Sequence, residues 1–176
     1  LSKTIDESCT VEMITAADKP GHQCYERSAV LLMLKAFYDV VGREHIDGLT
    51  IDYSVGRALF CQARGAFTLD QELINKVSTG MQRLVELALP IEKMNVPKAE
   101  AIRLFKKNGM RDKERLFRFR RSSRVNIYSL AGFTDYFYGY MVPDSSYIHC
   151  FALELFGDGF VLRLPTMENP DELPIF

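Results

Sequence analysis

The segment spanning residues 24–41 constrains the rest of this chain most. Its apolar positions Ala29, Leu32, Met33, Ala36, Phe37 and Val40 recur at intervals of three and four, the spacing of one helix face, and Leu31, Leu34 and Val41 widen that stripe. A helix this apolar has to be covered on most sides, and Gly42 is its natural stop. The remaining sequence must therefore supply the cover. In a chain of 176 residues, 47% of them hydrophobic, a single domain has the means to do so.

The covering elements are legible from spacing and punctuation. Residues 9–14 alternate as a short strand would, and Asp18-Lys19-Pro20-Gly21 reads as a turn. Residues 49–55 and 57–62 are β-like runs split by Gly56, a hairpin or neighbouring strands. Thr68, with Gln71 three residues on, reads as the N-cap of a helix through Leu73, Ile74, Val77, Met81, Leu84, Val85 and Leu87 that Pro90 ends. Residues 91–96 form a strand candidate. Pro97 opens a third helix with Ala101, Ile102, Leu104 and Phe105 inward and Asn108-Gly109 at its end. From Met110 the chain reads as helical at first, with Leu116, Phe117 and Phe119 as core. Residues 125–130, 133–138, 151–156 and 159–164 then read as four short strands turning at Gly132, Pro143-Asp144 and Gly157-Asp158-Gly159. Helices early and strands late predict an α+β fold with an antiparallel sheet packed with helices.

The ends differ from this body. The sequence opens on Leu1, and residues 166–176 replace the apolar pattern with prolines and acids. The expected organisation is a lead-in over residues 1–20, a domain over 21–165 and a linker over 166–176 toward a further domain. The longest apolar run, residues 29–34, is far shorter than the roughly 20 residues a membrane span needs. No membrane partner and a cytoplasmic location are expected. Cys9, Cys24, Cys61 and Cys150 lack any CxxC pairing and read as reduced core thiols.

The net charge of −1 conceals a concentrated strip. From Arg103 to Arg124 ten cations (Arg103, Lys106, Lys107, Arg111, Lys113, Arg115, Arg118, Arg120, Arg121, Arg124) stand against Asp112 and Glu114, so the rest of the chain is acidic. The strip admits two readings. One is a solvated helix face whose arginines pair with the chain's own acids. The other is a surface for nucleotide or RNA, with Arg115, Arg118, Arg120, Arg121 and Arg124 facing phosphates and Tyr138 and Tyr140 as stacking surfaces.

Chemistry is sparse elsewhere. No GxxxxGK[ST] or GxGxxG loop occurs, and Gly157-Asp158-Gly159 puts an acid where a phosphate would need donors. The histidines are His22, His45 and His149. A metal shared by His22, Cys24 and His149 or Cys150 is arithmetically possible, yet neighbours on a strand point to opposite faces. No serine sits in a GxSxG-like elbow. No metal and no catalytic set is therefore expected.

The segment Asp135-Tyr136-Phe137-Tyr138-Gly139-Tyr140-Met141-Val142-Pro143-Asp144, followed by His149, Phe151 and Leu153, resembles the CxxxH-bearing part of the second additional (editing) domain of threonyl- and alanyl-tRNA synthetases. Ser28-Ala29-Val30-Leu31-Leu32 with Ala36 is similar to that domain's HxxxH helix, and Pro97-Lys98-Ala99-Glu100-Ala101 with Phe105 to a later one. The likeness spans residues 24–165 and implies the same α+β fold. The family's four site positions fall on Glu26, Val30, Phe137 and Met141, none of them a His or Cys. In the family these positions hold the ion or water that hydrolyses mischarged aminoacyl-tRNA. Their replacement implies a degenerate, non-catalytic pocket, the alternative being a free-standing deacylase working through Glu26 or His149.

Tyr25-Glu26-Arg27-Ser28, the segment Phe137-Tyr138-Gly139-Tyr140-Met141-Val142-Pro143, and Gly159-Phe160-Val161-Leu162-Arg163-Leu164-Pro165 also resemble the region upstream of the P-loop domain in certain bacterial uridine kinase or phosphoribulokinase-like proteins. That resemblance implies a downstream kinase domain as partner in the same chain. ATP and Mg²⁺ would be that domain's cofactors, with none in the present chain.

Overall fold

The computed structural model of the chain describes residues 6–107, 110–119 and 121–174, the side chains of Arg111, Asp112 and Arg118 excepted. Its organising element is helix α1, Lys19–Val41, in which Tyr25, Ser28–Leu34, Ala36 and Phe37 are all buried. The helix starts five residues before residue 24, because Pro20 does not mark a turn but occupies the first helical turn, where a missing N–H costs nothing. Asp18 precedes it, its carboxylate accepting from the Thr15 N–H and hydroxyl. At the other end the Gly42 N–H donates to the Tyr38 carbonyl.

Two antiparallel sheets and a second helix pack against α1, and two further helices pack on each other and on one of the sheets. Strands β1 (Ile46–Val55) and β2 (Ala58–Gly65) form the expected hairpin, with Gly56 at φ 57 in its two-residue loop, a conformation that side chains resist. Helix α2 (Gln71–Glu86) follows, then β3 (Ile91–Pro97), α3 (Lys98–Lys107), α4 (Arg111–Phe119), β4 (Arg124–Leu130), β5 (Phe133–Tyr136), β6 (Ala152–Phe156) and β7 (Gly159–Arg163). One sheet has the order β1-β2-β7-β6 and the other β3-β4-β5. The fold is thus α+β, with antiparallel sheets packed with helices.

Strand alternation divides the four-stranded sheet cleanly. Leu59, Cys61, Phe160, Leu162 and Leu153 point into the main core with α1, while Ala58, Phe60 and Val161 form a small second cluster on the opposite face. Phe37 of α1 stacks on Phe160 at 5.7 Å. Helix α2 lays Ile74, Val77, Met81 and Leu84 inward, a spacing of three and four that one face requires. The second sheet meets α1 through Tyr38 and Phe133, 5.3 Å apart, and carries α4 through Phe117, which stacks on Phe105 and meets Tyr136 edge-on at 4.9 Å.

Several local expectations are corrected. Residues 9–14 form no strand; they are exposed and pair with nothing regular. The cap of α2 is Asp70, not Thr68: its side chain accepts the Leu73 N–H at 2.8 Å, and a charged acceptor at that place outcompetes a hydroxyl two residues earlier. Leu116 and Phe119 are exposed, 50% and 88%, and only Phe117 of that trio is core. A helix of nine residues resting on one side has room for a single inward stripe. Of the cysteines, all free, Cys61 is buried, Cys24 and Cys150 are half-buried and Cys9 is exposed. Among the described residues no helix is long and apolar enough to cross a membrane.

Candidate functional site

The N-terminal half of α1 and the loop after β5 lie far apart in sequence and are tied together by polar contacts. Arg27 Nη1 donates to the Tyr140 carbonyl at 2.7 Å, and Arg27 Nη2 to Gln23 Oε1. Gly139 has φ 102, a backbone conformation that side chains resist, and a Cβ there would lie 2.5 Å from Arg27 Nη1, so the guanidinium would have to shift. The Tyr128 hydroxyl donates to the Gly139 carbonyl. Ser28, fully buried, donates to the Cys24 carbonyl and accepts the Val142 N–H. Tyr25 completes the seam: its hydroxyl donates to the Cys150 carbonyl at 2.7 Å and accepts the Cys150 N–H at 2.9 Å. Burial pushes that hydroxyl well above the ordinary tyrosine range, so it keeps its proton and its donor role.

These tethers bring together the two segments on which Glu26, Val30, Phe137 and Met141 lie, but the four side chains do not converge on one opening. Val30 is buried within the apolar core, and Phe137 and Met141 pack against that core. Glu26 stands half-exposed, its Oε1 3.6 Å from His22 Nε2. It borders a polar cleft of about 270 Å³ with His22, Arg57, Ser54, Thr166 and Glu168. Hydrogen bonds from its own backbone and from Thr166 hold the Glu168 carboxylate below the usual range. Met141 instead borders a larger, mostly apolar cleft of about 630 Å³, with Tyr25, Tyr140, Tyr147 and His149. His149 Nε2 lies 3.3 Å from Asp171 Oδ1 there. Among the described residues no group of three or more His, Cys, Asp or Glu is placed to hold a metal ion.

The described cations of the basic strip differ in their surroundings. Lys113 pairs with Asp135, which is 2% exposed, at 3.3 Å, so this cation does serve the chain's own acid. Arg124 turns to Asn95, donating to its side-chain and main-chain oxygens. Arg115 and Arg121 are exposed, whereas Arg120 and the side chain of Arg118 lie outside the described residues. Tyr138 and Tyr140 are exposed at 83% and 71%, and Lys93 Nζ sits 4.4 Å from the Tyr140 ring centre. The tethering residues Arg27, Ser28 and Tyr25 carry no local signal of their role, because each acts on a partner more than a hundred residues away.

No protein-family model matches the chain. Among curated proteins it is similar to the threonine–tRNA ligase of Methylococcus capsulatus at 29% identity over 161 residues, covering 87% of this chain and 24% of the relative. The threonine–tRNA ligase of Syntrophotalea carbinolica matches at 30% over 155 residues with the same coverages, and that of Thermotoga petrophila at 23% over 162. The chain is therefore homologous to part of threonine–tRNA ligases and spans about a quarter of their length.

Proposed function

We propose that this chain is an accessory domain of the synthetase-editing type that has lost hydrolysis and keeps a polyanion-facing surface. The observation that carries the reading is Val30. Where the family's helix offers its second histidine, this chain buries an aliphatic side chain that has no lone pair for a metal ion or a water. Phe137 and Met141, packed against the core, extend the same replacement. Homology to threonine–tRNA ligases over 87% of the chain supports the domain type.

The finer reading places the domain over residues 21–165, in the cytoplasm, upstream of a uridine kinase- or phosphoribulokinase-like domain that uses ATP and Mg²⁺. Its support is the likeness of the three short segments quoted above. On this reading the basic strip, through the exposed Arg115 and Arg121, meets RNA or nucleotide phosphates, and Tyr138 offers a stacking face.

The test has two arms. Mischarged threonyl- and alanyl-tRNAs incubated with the chain should deacylate no faster than in buffer; turnover abolished by Glu26→Gln would install the deacylase reading instead. Binding of tRNA should weaken as salt rises and weaken further in an Arg115→Ala, Arg121→Ala double variant. Binding absent at low salt removes the polyanion role.

A further inference from the structure

The cleft of about 630 Å³ is built from four separate stretches of chain: Ile14–Ala16, the start of α1, residues 140–149, and Pro170-Asp171. Its volume falls within the range of small-molecule sites, which bury most of their ligand against apolar walls and orient it with a few polar groups. Three tyrosine rings line it. Tyr25 is held in place by both of its bonds to Cys150, while Tyr140 and Tyr147 are exposed at 71% and 54%. Aromatic faces left open beside an apolar floor are costly to solvate and suit a flat ring. At one side the His149–Asp171 pair presents ring-nitrogen and carboxylate groups to a ligand's polar edge. Outside the lining, the exposed Lys93 Nζ lies over the Tyr140 ring, 4.4 Å from its centre, a cation beside the cleft's aromatic wall.

An aliphatic ligand would use the apolar floor but would leave the polar pair and the lysine without a task. A planar heterocycle with hydrogen-bonding edges and an attached anion uses all three features. We infer that this cleft binds a nucleoside monophosphate, the base against Tyr140 and Tyr147, its edge toward His149 and Asp171, and the phosphate at Lys93. Among the described residues none between 103 and 124 borders the cleft, so this site stands or falls separately from the basic strip.

The experiment is calorimetric titration of the chain with the common ribonucleoside 5′-monophosphates and, in parallel, with the matching nucleosides. Saturable binding of at least one monophosphate is expected. Tyr140→Ala and Tyr147→Ala, both at exposed positions, should each weaken it roughly ten-fold or more, within what stacking a base on an aromatic ring contributes. Lys93→Gln should weaken the monophosphate several-fold and leave the nucleoside unchanged, while Arg121→Ala should change neither. Failure of every monophosphate and nucleoside to bind at millimolar concentration overturns the inference. So does binding indifferent to both tyrosine substitutions, or displacement of the nucleotide by decanoate at equal concentration.

Discussion

The buried Ser28 hydroxyl accepts the Val142 N–H at 3.0 Å across 114 residues of sequence, while donating to the Cys24 carbonyl one turn back on α1. One small side chain thus satisfies a helix carbonyl and a loop amide at once. Ser28→Ala leaves the Val142 N–H without the acceptor that the fully buried hydroxyl supplies. The expected loss is about 1–3 kcal/mol in chemical denaturation, the cost of a stranded buried polar group. Hydrogen exchange at Val142 should accelerate more than the global change explains.

Gly139 makes the same seam from the other side. Gly139→Ala forces an L-residue toward φ 102 and drives its Cβ into Arg27. The backbone and packing terms together should cost roughly 1–3 kcal/mol. Adding Arg27→Ala removes the clash but not the backbone strain, so the double variant should lose less than the two single losses combined, a coupling that a thermal-melt cycle measures directly.

Helix α4 offers a contrast within nine residues. Phe117, fully buried between Phe105 and Tyr136, should cost roughly 3–5 kcal/mol when replaced by alanine. Phe119→Ala, at 88% exposure, should stay within about 0.5 kcal/mol. Equal effects in urea titrations would contradict the arrangement of the helix.

How much of this was readable in advance depended on distance along the chain. The core face of α2 and strands β1 to β7 follow from local alternation and turn residues, and they fall close to the expected places. The start of α1 was hidden because Pro20 is equally at home in a turn and in a first helical turn. Leu116 and Phe119 misled because apolar character alone does not say which side of a short helix has a neighbour. At the candidate site the four family positions were legible by resemblance. That Glu26 and Met141 open into different clefts was not, since it depends on how residues 137–143 are pinned by Arg27 and Ser28.

The thiols should sort by depth. Burial pushes Cys61 from an ordinary value of 9.0 up to about 12. The folded chain therefore keeps a proton there that the unfolded chain releases, so this stabilisation is complete below about pH 9 and is lost as pH rises from there toward 12. Stability measured against pH should decline over that alkaline window, and Cys61→Ala should flatten the decline. At neutral pH a maleimide should label exposed Cys9 in seconds to minutes and Cys61 only on unfolding.

Strand β2 pairs with β7, setting Cys61 opposite Phe160. During synthesis α1 and the β1–β2 hairpin emerge from the ribosome long before their cover exists, and loop closure over such a span is slow. The nascent chain therefore spends its time in the exit vestibule with an oily rod and a bare strand edge, a state suited to holdase capture. Truncation before β7 should yield inclusion bodies rather than a smaller folded unit.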